Sequence, residues 1–115
     1  RSPIAGTINK IVYKEGHFFN ASLDKASEKN ERSSIVVENQ KGTEIVVVQI
    51  AGLIARRILG FVSTNQSIDQ GERYGLIRFG SRVDIYLPLN SNINCSVGDR
   101  VIAGETLLAT LAEDL

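Results

Sequence analysis

Few side chains in this chain are placed to do chemistry. It has one thiol, Cys95, and one imidazole, His17. A thiol becomes a nucleophile or metal ligand only with a base or further ligands beside it, and no histidine stands near Cys95 in the pattern. Cys95 therefore reads as a small, half-buried structural residue, and His17 as a surface or loop residue. Arg56 and Arg57 are adjacent, so on a strand they point to opposite faces and cannot both be solvent charges of a one-sided sheet. One of them should pair with a carboxylate or a phosphate, an internal Glu or Asp being the more frequent partner. The remaining candidate is Gly80-Ser81, inside Arg78-Phe79-Gly80-Ser81-Arg82-Val83-Asp84-Ile85-Tyr86-Leu87-Pro88. On spacing alone this is two short strands joined by a two-residue turn, with Val83, Ile85 and Leu87 on one face. Gly-Ser pairs are common in tight turns, so the pair by itself carries no functional claim.

The surroundings of the pair carry more. The run Ile77 to Pro88, IRFGSRVDIYLP, resembles the self-cleavage segment of the short form of the phosphatidylserine decarboxylase family. Phe18 to Arg32 (FFNASLDKASEKNER), Val46 to Ile58 (VVVQIAGLIARRI) and the terminal VGDRVIAGETLLA match that family in the same order. The resemblance implies that the chain is cut between Gly80 and Ser81 and that Ser81 becomes a covalent pyruvoyl cofactor. Glycine suits the position before the cut because it presents no Cβ to an attacking oxygen and tolerates a distorted backbone. A serine hydroxyl must also be activated. The family does this with an aspartate in an Ala-Asp-Gly segment and a histidine in a His-Val-Asn-Arg segment. Both lie upstream of the residues seen here, so the chain as given is expected to be an unprocessed fragment, inactive by itself.

By the same resemblance, residues 1–80 correspond to the β chain and 81–115 to the α chain of a heterodimer made from one proenzyme. The implied reaction is decarboxylation of phosphatidylserine to phosphatidylethanolamine in phospholipid biosynthesis. The implied location is peripheral, on the cytoplasmic side of the cell membrane, with a membrane surface as partner. Two alternatives stand beside this reading: a non-catalytic barrel-sandwich binding module, and an inert, degenerate member of the family.

The elements that would position this segment can be read from pattern. Ile8 to Val12 alternates toward Gly16 as a strand. Ile35–Glu38 and Ile45–Ile50 flank the polar cluster Asn39-Gln40-Lys41-Gly42, a hairpin whose second strand is apolar on both faces and hence central. Asp24–Ser34 is charged and poor in β-branched residues, which predicts a solvated loop carrying at most a helical turn. Phe18 and Phe19 are expected as core anchors. Residues 68–77 and 97–108 repeat weakly, each placing a turn and Gly-Glu before an apolar strand. That habit is found in barrel-sandwich hybrids of the biotinyl and lipoyl kind, and the expected fold class is all-β of that type, in a single domain over 1–115. The analogy concerns fold alone.

Composition sets outer bounds. The 115 residues carry 13 basic and 13 acidic side chains, so no net field draws the chain to nucleic acid or an anionic surface. Lipid contact would have to be local and apolar. One cysteine excludes an internal disulfide and a cysteine metal cluster, and no metal site is expected. The longest apolar stretch, Ile45 to Ala55, is too short to span a bilayer. The absence of methionine, and a strand pattern starting at once, suggest an internal or C-terminal portion of a longer protein.

Overall fold

The computed structural model describes residues 1–54 and 57–114. Nearly all regular structure is β, as expected from the sequence. A five-stranded antiparallel sheet has the order β5-β1-β2-β3-β7, built from β1 (Gly6–Lys14), β2 (Arg32–Glu38), β3 (Glu44–Ile50), β5 (Ser67–Ile68) and β7 (Arg82–Tyr86). Two small ribbons attach to it: β4 (Ile58–Gly60) with β6 (Gly75–Ile77), and β8 (Asn92–Ile93) with β9 (Ala109–Thr110). The architecture is barrel-like, with the large sheet curling around one face.

The period-2 pattern explains why β3 is apolar throughout. Its odd positions, Ile45 and Val47, join Ile8, Ile35, Val37, Ile68, Tyr74 and Leu111 in the main core on one face. Its even positions, Val48 and Ile50, pack with Ala26 on the opposite face, with Val46 against them. The two sides thus have separate coverings, which is the condition for an uninterrupted hydrophobic strand. The β2–β3 hairpin forms at the expected place, with Val36 opposite Val46. Its turn is closed by Asn39, whose Oδ1 accepts the amides of Lys41 and Thr43.

Four local expectations need correction. The charged block carries the expected helical turn, α1 (Ala26–Lys29), but it is not merely solvated: Ala26 and Asn30 are fully buried, and β2 already begins at Arg32. Phe18 and Phe19 are half-buried rather than core residues. Phe19 instead lies under the Lys25 ammonium, 4.1 Å from its ring centre, a cation–π contact at the surface. The second Gly-Glu repeat forms its turn, but the strand after it is delayed to Ala109, leaving Val97, Ile102 and Leu107 exposed.

The fourth correction concerns Gly80-Ser81. No β6–β7 hairpin forms: β6 pairs with β4, and β7 pairs with β3 over five residues, from Val46↔Tyr86 to Ile50↔Arg82. The free edge of β3 offers β7 a longer ladder than three-residue β6 could. Ile85 and Leu87 consequently reach the main core, while Val83 at the start of the strand remains exposed.

Candidate functional site

Residues Arg78 to Ser81 form the crossing between the small β4–β6 ribbon and the large sheet. Phe79 and Gly80 make the turn, with Phe79 87% exposed and Gly80 at φ +85°, a backbone region that glycine enters without strain. Ser81 is half-buried at the entrance to β7, and its hydroxyl donates to the Arg78 carbonyl at 2.7 Å. The serine is therefore ordered by the turn itself.

The carbonyl before it is fixed from the other side. The chain leaves β3 through buried Ala51 and Gly52, and the Gly52 Cα faces the Gly80 carbonyl so closely that a Cβ on Gly52 would lie 2.0 Å from that oxygen. The same imaginary Cβ would lie 3.4 Å from the Ala21 side chain. Three distant segments, around residues 21, 52 and 80, thus meet at one carbonyl group.

Asn30 holds two of those segments together. It is 1% exposed, and its amide group spans the gap between Phe19 and Ala51. Its Oδ1 accepts the Phe19 amide at 2.9 Å, while its Nδ2 donates to the carbonyls of Phe19 at 2.8 Å and Ala51 at 2.7 Å. The Ala51 amide donates to Glu31 O at 2.9 Å. A buried amide so fully engaged fixes geometry, because breaking any one bond leaves a desolvated polar group.

On the β7 side, Arg82 and Asp84 lie two residues apart and so share a face. Arg82 Nε donates to Asp84 Oδ1 at 2.6 Å and Nη2 to Oδ2 at 3.0 Å, a bidentate pair. Arg82 Nη1 reaches the Ala21 carbonyl at 3.3 Å. The hydrogen bond with Asp84 raises the guanidinium still further above its ordinary range. The residue after Ser81 is thereby tied to the same Phe18–Arg32 block that borders Gly52.

The structure brings Gly80 and Ser81 together with this block. His17 is exposed and joined to the block through its backbone, its amide donating to Lys29 O at 2.7 Å, consistent with a surface role. Cys95 is half-buried, as expected. Arg57 is exposed with no ion pair to another described residue, and Arg56 lies outside the described residues. Sequence reasoning passed over Gly52, Asn30 and the Arg82–Asp84 pair. Only the last had a local signal, an opposite-charge pair at i, i+2 beside the turn. No helix among the described residues is long and apolar enough to cross a membrane.

Comparison with known proteins points to one family. A family model described as phosphatidylserine decarboxylase matches residues 1–109. The protein named phosphatidylserine decarboxylase proenzyme from Ruegeria pomeroyi is 58% identical over 111 residues, covering 96% of this chain and 51% of that protein. Proteins of the same name from Novosphingobium aromaticivorans and Burkholderia vietnamiensis are 57% and 51% identical over 113 residues, 98% of this chain and 45% and 53% of theirs. The chain thus spans about half the length of the curated relatives it matches. No solved structure matches it.

Proposed function

The chain belongs to the phosphatidylserine decarboxylase family, and on that footing we propose that it cuts itself between Gly80 and Ser81 and uses the resulting pyruvoyl group to decarboxylate phosphatidylserine. The observation carrying this reading is the Gly80 carbonyl, seated against Gly52 in an exposed, positive-φ turn with an ordered serine hydroxyl one residue on.

In the cut, Ser81 Oγ attacks the Gly80 carbonyl carbon, the C–N bond breaks, and the freed amine leaves the two segments joined by an ester. Loss of the α-proton of residue 81 expels the Gly80 carboxylate and leaves dehydroalanine. Water then replaces nitrogen, releasing ammonia and leaving pyruvoyl at position 81. Gly52 and Gly80 together keep the carbonyl free of side-chain crowding. For the attack Ser81 must give up its hydrogen bond to Arg78 and pass its proton to a base, because a carbonyl oxygen cannot keep it.

The site suits the product. After the cut residue 81 remains at the start of β7, held through Arg82 by Asp84 and the Ala21 carbonyl, while the exposed Phe79-Gly80 end can withdraw. The pyruvoyl ketone supplies an electron sink for the departing carboxylate. Ala21 and Gly52 would wall it on one side, and Arg82 would fix its direction.

The two products would remain together as α and β chains. β7 keeps its five-residue ladder with β3, Leu111 stays in the main core, and Glu113 accepts from Asn39 and Thr43 at 2.6 and 2.7 Å across the cut. A diacyl substrate would bring the enzyme to a membrane surface, and a peripheral location on the cytoplasmic side is part of this reading. The test is release of carbon dioxide from carboxyl-labelled phosphatidylserine by the full-length polypeptide. Activity lost in Ser81→Ala supports the reading; undiminished release from that variant ends it.

A further inference from the structure

Beside the turn, the end of the β4–β6 ribbon brings two arginines to one cleft. The register runs Gly60↔Gly75, Leu59↔Leu76, Ile58↔Ile77, and Arg57 and Arg78 follow one step beyond the strand ends, where continuing the register would set them opposite each other. Because side chains alternate along a strand, Arg57 and Leu59 share a face with Leu76 and Arg78. These four residues and Ile54 line a cleft of about 340 Å³, within the range of small-ligand sites. The cleft adjoins the proposed cut: a Cβ on Gly80 would contact the Ile54 side chain at 3.8 Å.

Like charges directly opposite each other in an antiparallel pair repel. Both arginines are exposed, and no described carboxylate forms an ion pair with either. Two planar forks with no anion between them match a phosphodiester, which each can hold by charge-assisted hydrogen bonds. The apolar part of the cleft is also open to solvent, with Ile54 73% and Leu76 48% exposed. Phosphate-binding charge bordered by exposed aliphatic surface fits an amphiphile better than a free anion.

We propose that Arg57 and Arg78 grip the phosphate of a phospholipid while Ile54, Leu59 and Leu76 receive the first carbons of its acyl chains. The proposal rests on the decarboxylase reading for the identity of the lipid and adds to it the subsite for phosphate.

The test uses the full-length polypeptide carrying Ser81→Ala, so that neither cleavage nor turnover affects binding. Calorimetric titration compares dihexanoyl phosphatidylserine, glycerophosphoserine and inorganic phosphate. The short-chain lipid should bind most tightly. Arg57→Gln and Arg78→Gln should each weaken it about tenfold or more, the scale of a lost charge-assisted hydrogen bond. Each change relieves repulsion, so thermal stability should hold or rise, which separates lost binding from lost folding. Unchanged lipid affinity in both glutamine variants overturns the proposal, as does binding of glycerophosphoserine or phosphate as tight as that of the lipid. Cleavage of the parent polypeptide is scored separately by mass, so failure of the subsite leaves the self-cleavage reading standing, and absence of cleavage counts against that reading alone.

Discussion

Gly52 and Gly80, far apart in the chain, meet backbone to backbone: the Gly80 carbonyl occupies the space that a side chain on Gly52 would need. Gly52 follows the most buried strand of the sheet, whereas Gly80 sits in an exposed turn. A side chain introduced at position 52 would therefore displace the turn sooner than the core.

Gly52→Ala should accordingly block or greatly slow the cut while leaving the protein folded. The cut chain should fall at least about tenfold in a timed expression assay, since small misplacements of reacting atoms carry costs of that order or larger. Hydroxylamine, which cleaves esters, should release no fragments from the variant, because the defect precedes ester formation. Gly60→Ala, where a Cβ meets nothing within 4 Å, should process normally.

Asn30→Ala should destabilise the protein by about 2–4 kcal/mol in denaturant unfolding, since it strands the Phe19 and Ala51 backbone groups in a buried place. Asn30→Asp retains the acceptor but loses both donations, and should be nearly as damaging. A cost below about 0.5 kcal/mol, the ordinary range for surface substitutions, would mean that Asn30 does not clamp the block to the sheet.

Alkaline stability should depend on Tyr74. Its phenol is 4% exposed within the main core, and burial raises its pKa from 10.0 to about 12. The folded state therefore favours the neutral phenol, so stability is complete below about pH 10 and declines as pH rises toward 12. The loss across that window should be about 3 kcal/mol, and Tyr74→Phe should remove most of it. Tyr13 is raised to a similar value by its hydrogen bond to Glu31, but it is largely exposed and should contribute little to the slope.

These sites differ in how far the sequence revealed them. The β2–β3 hairpin was legible because a polar turn separated two apolar, β-branched segments, and both signals are local. Ser81 was legible only through family resemblance, since a Gly-Ser pair is chemically ordinary. The pairing around it was misread because turn residues report how the chain bends and not which sheet edge is free; the open side of β3 decided that. Gly52 looked like an interruption in an apolar run, and its importance exists only once residue 80 folds against it. Asn30 was hidden in a charged block whose composition suggested solvent. Its three hydrogen bonds involve Phe19 and Ala51, and no spacing rule connects those positions.

The most direct measurement is the intact mass of the natural full-length polypeptide under denaturing conditions, before and after a carbonyl-reactive hydrazide. The account predicts two chains meeting between Gly80 and Ser81, together carrying one water more and one ammonia less than the uncut sequence, with only the C-terminal chain gaining the label. A single uncut, unlabelled chain in a preparation that still decarboxylates phosphatidylserine would contradict it.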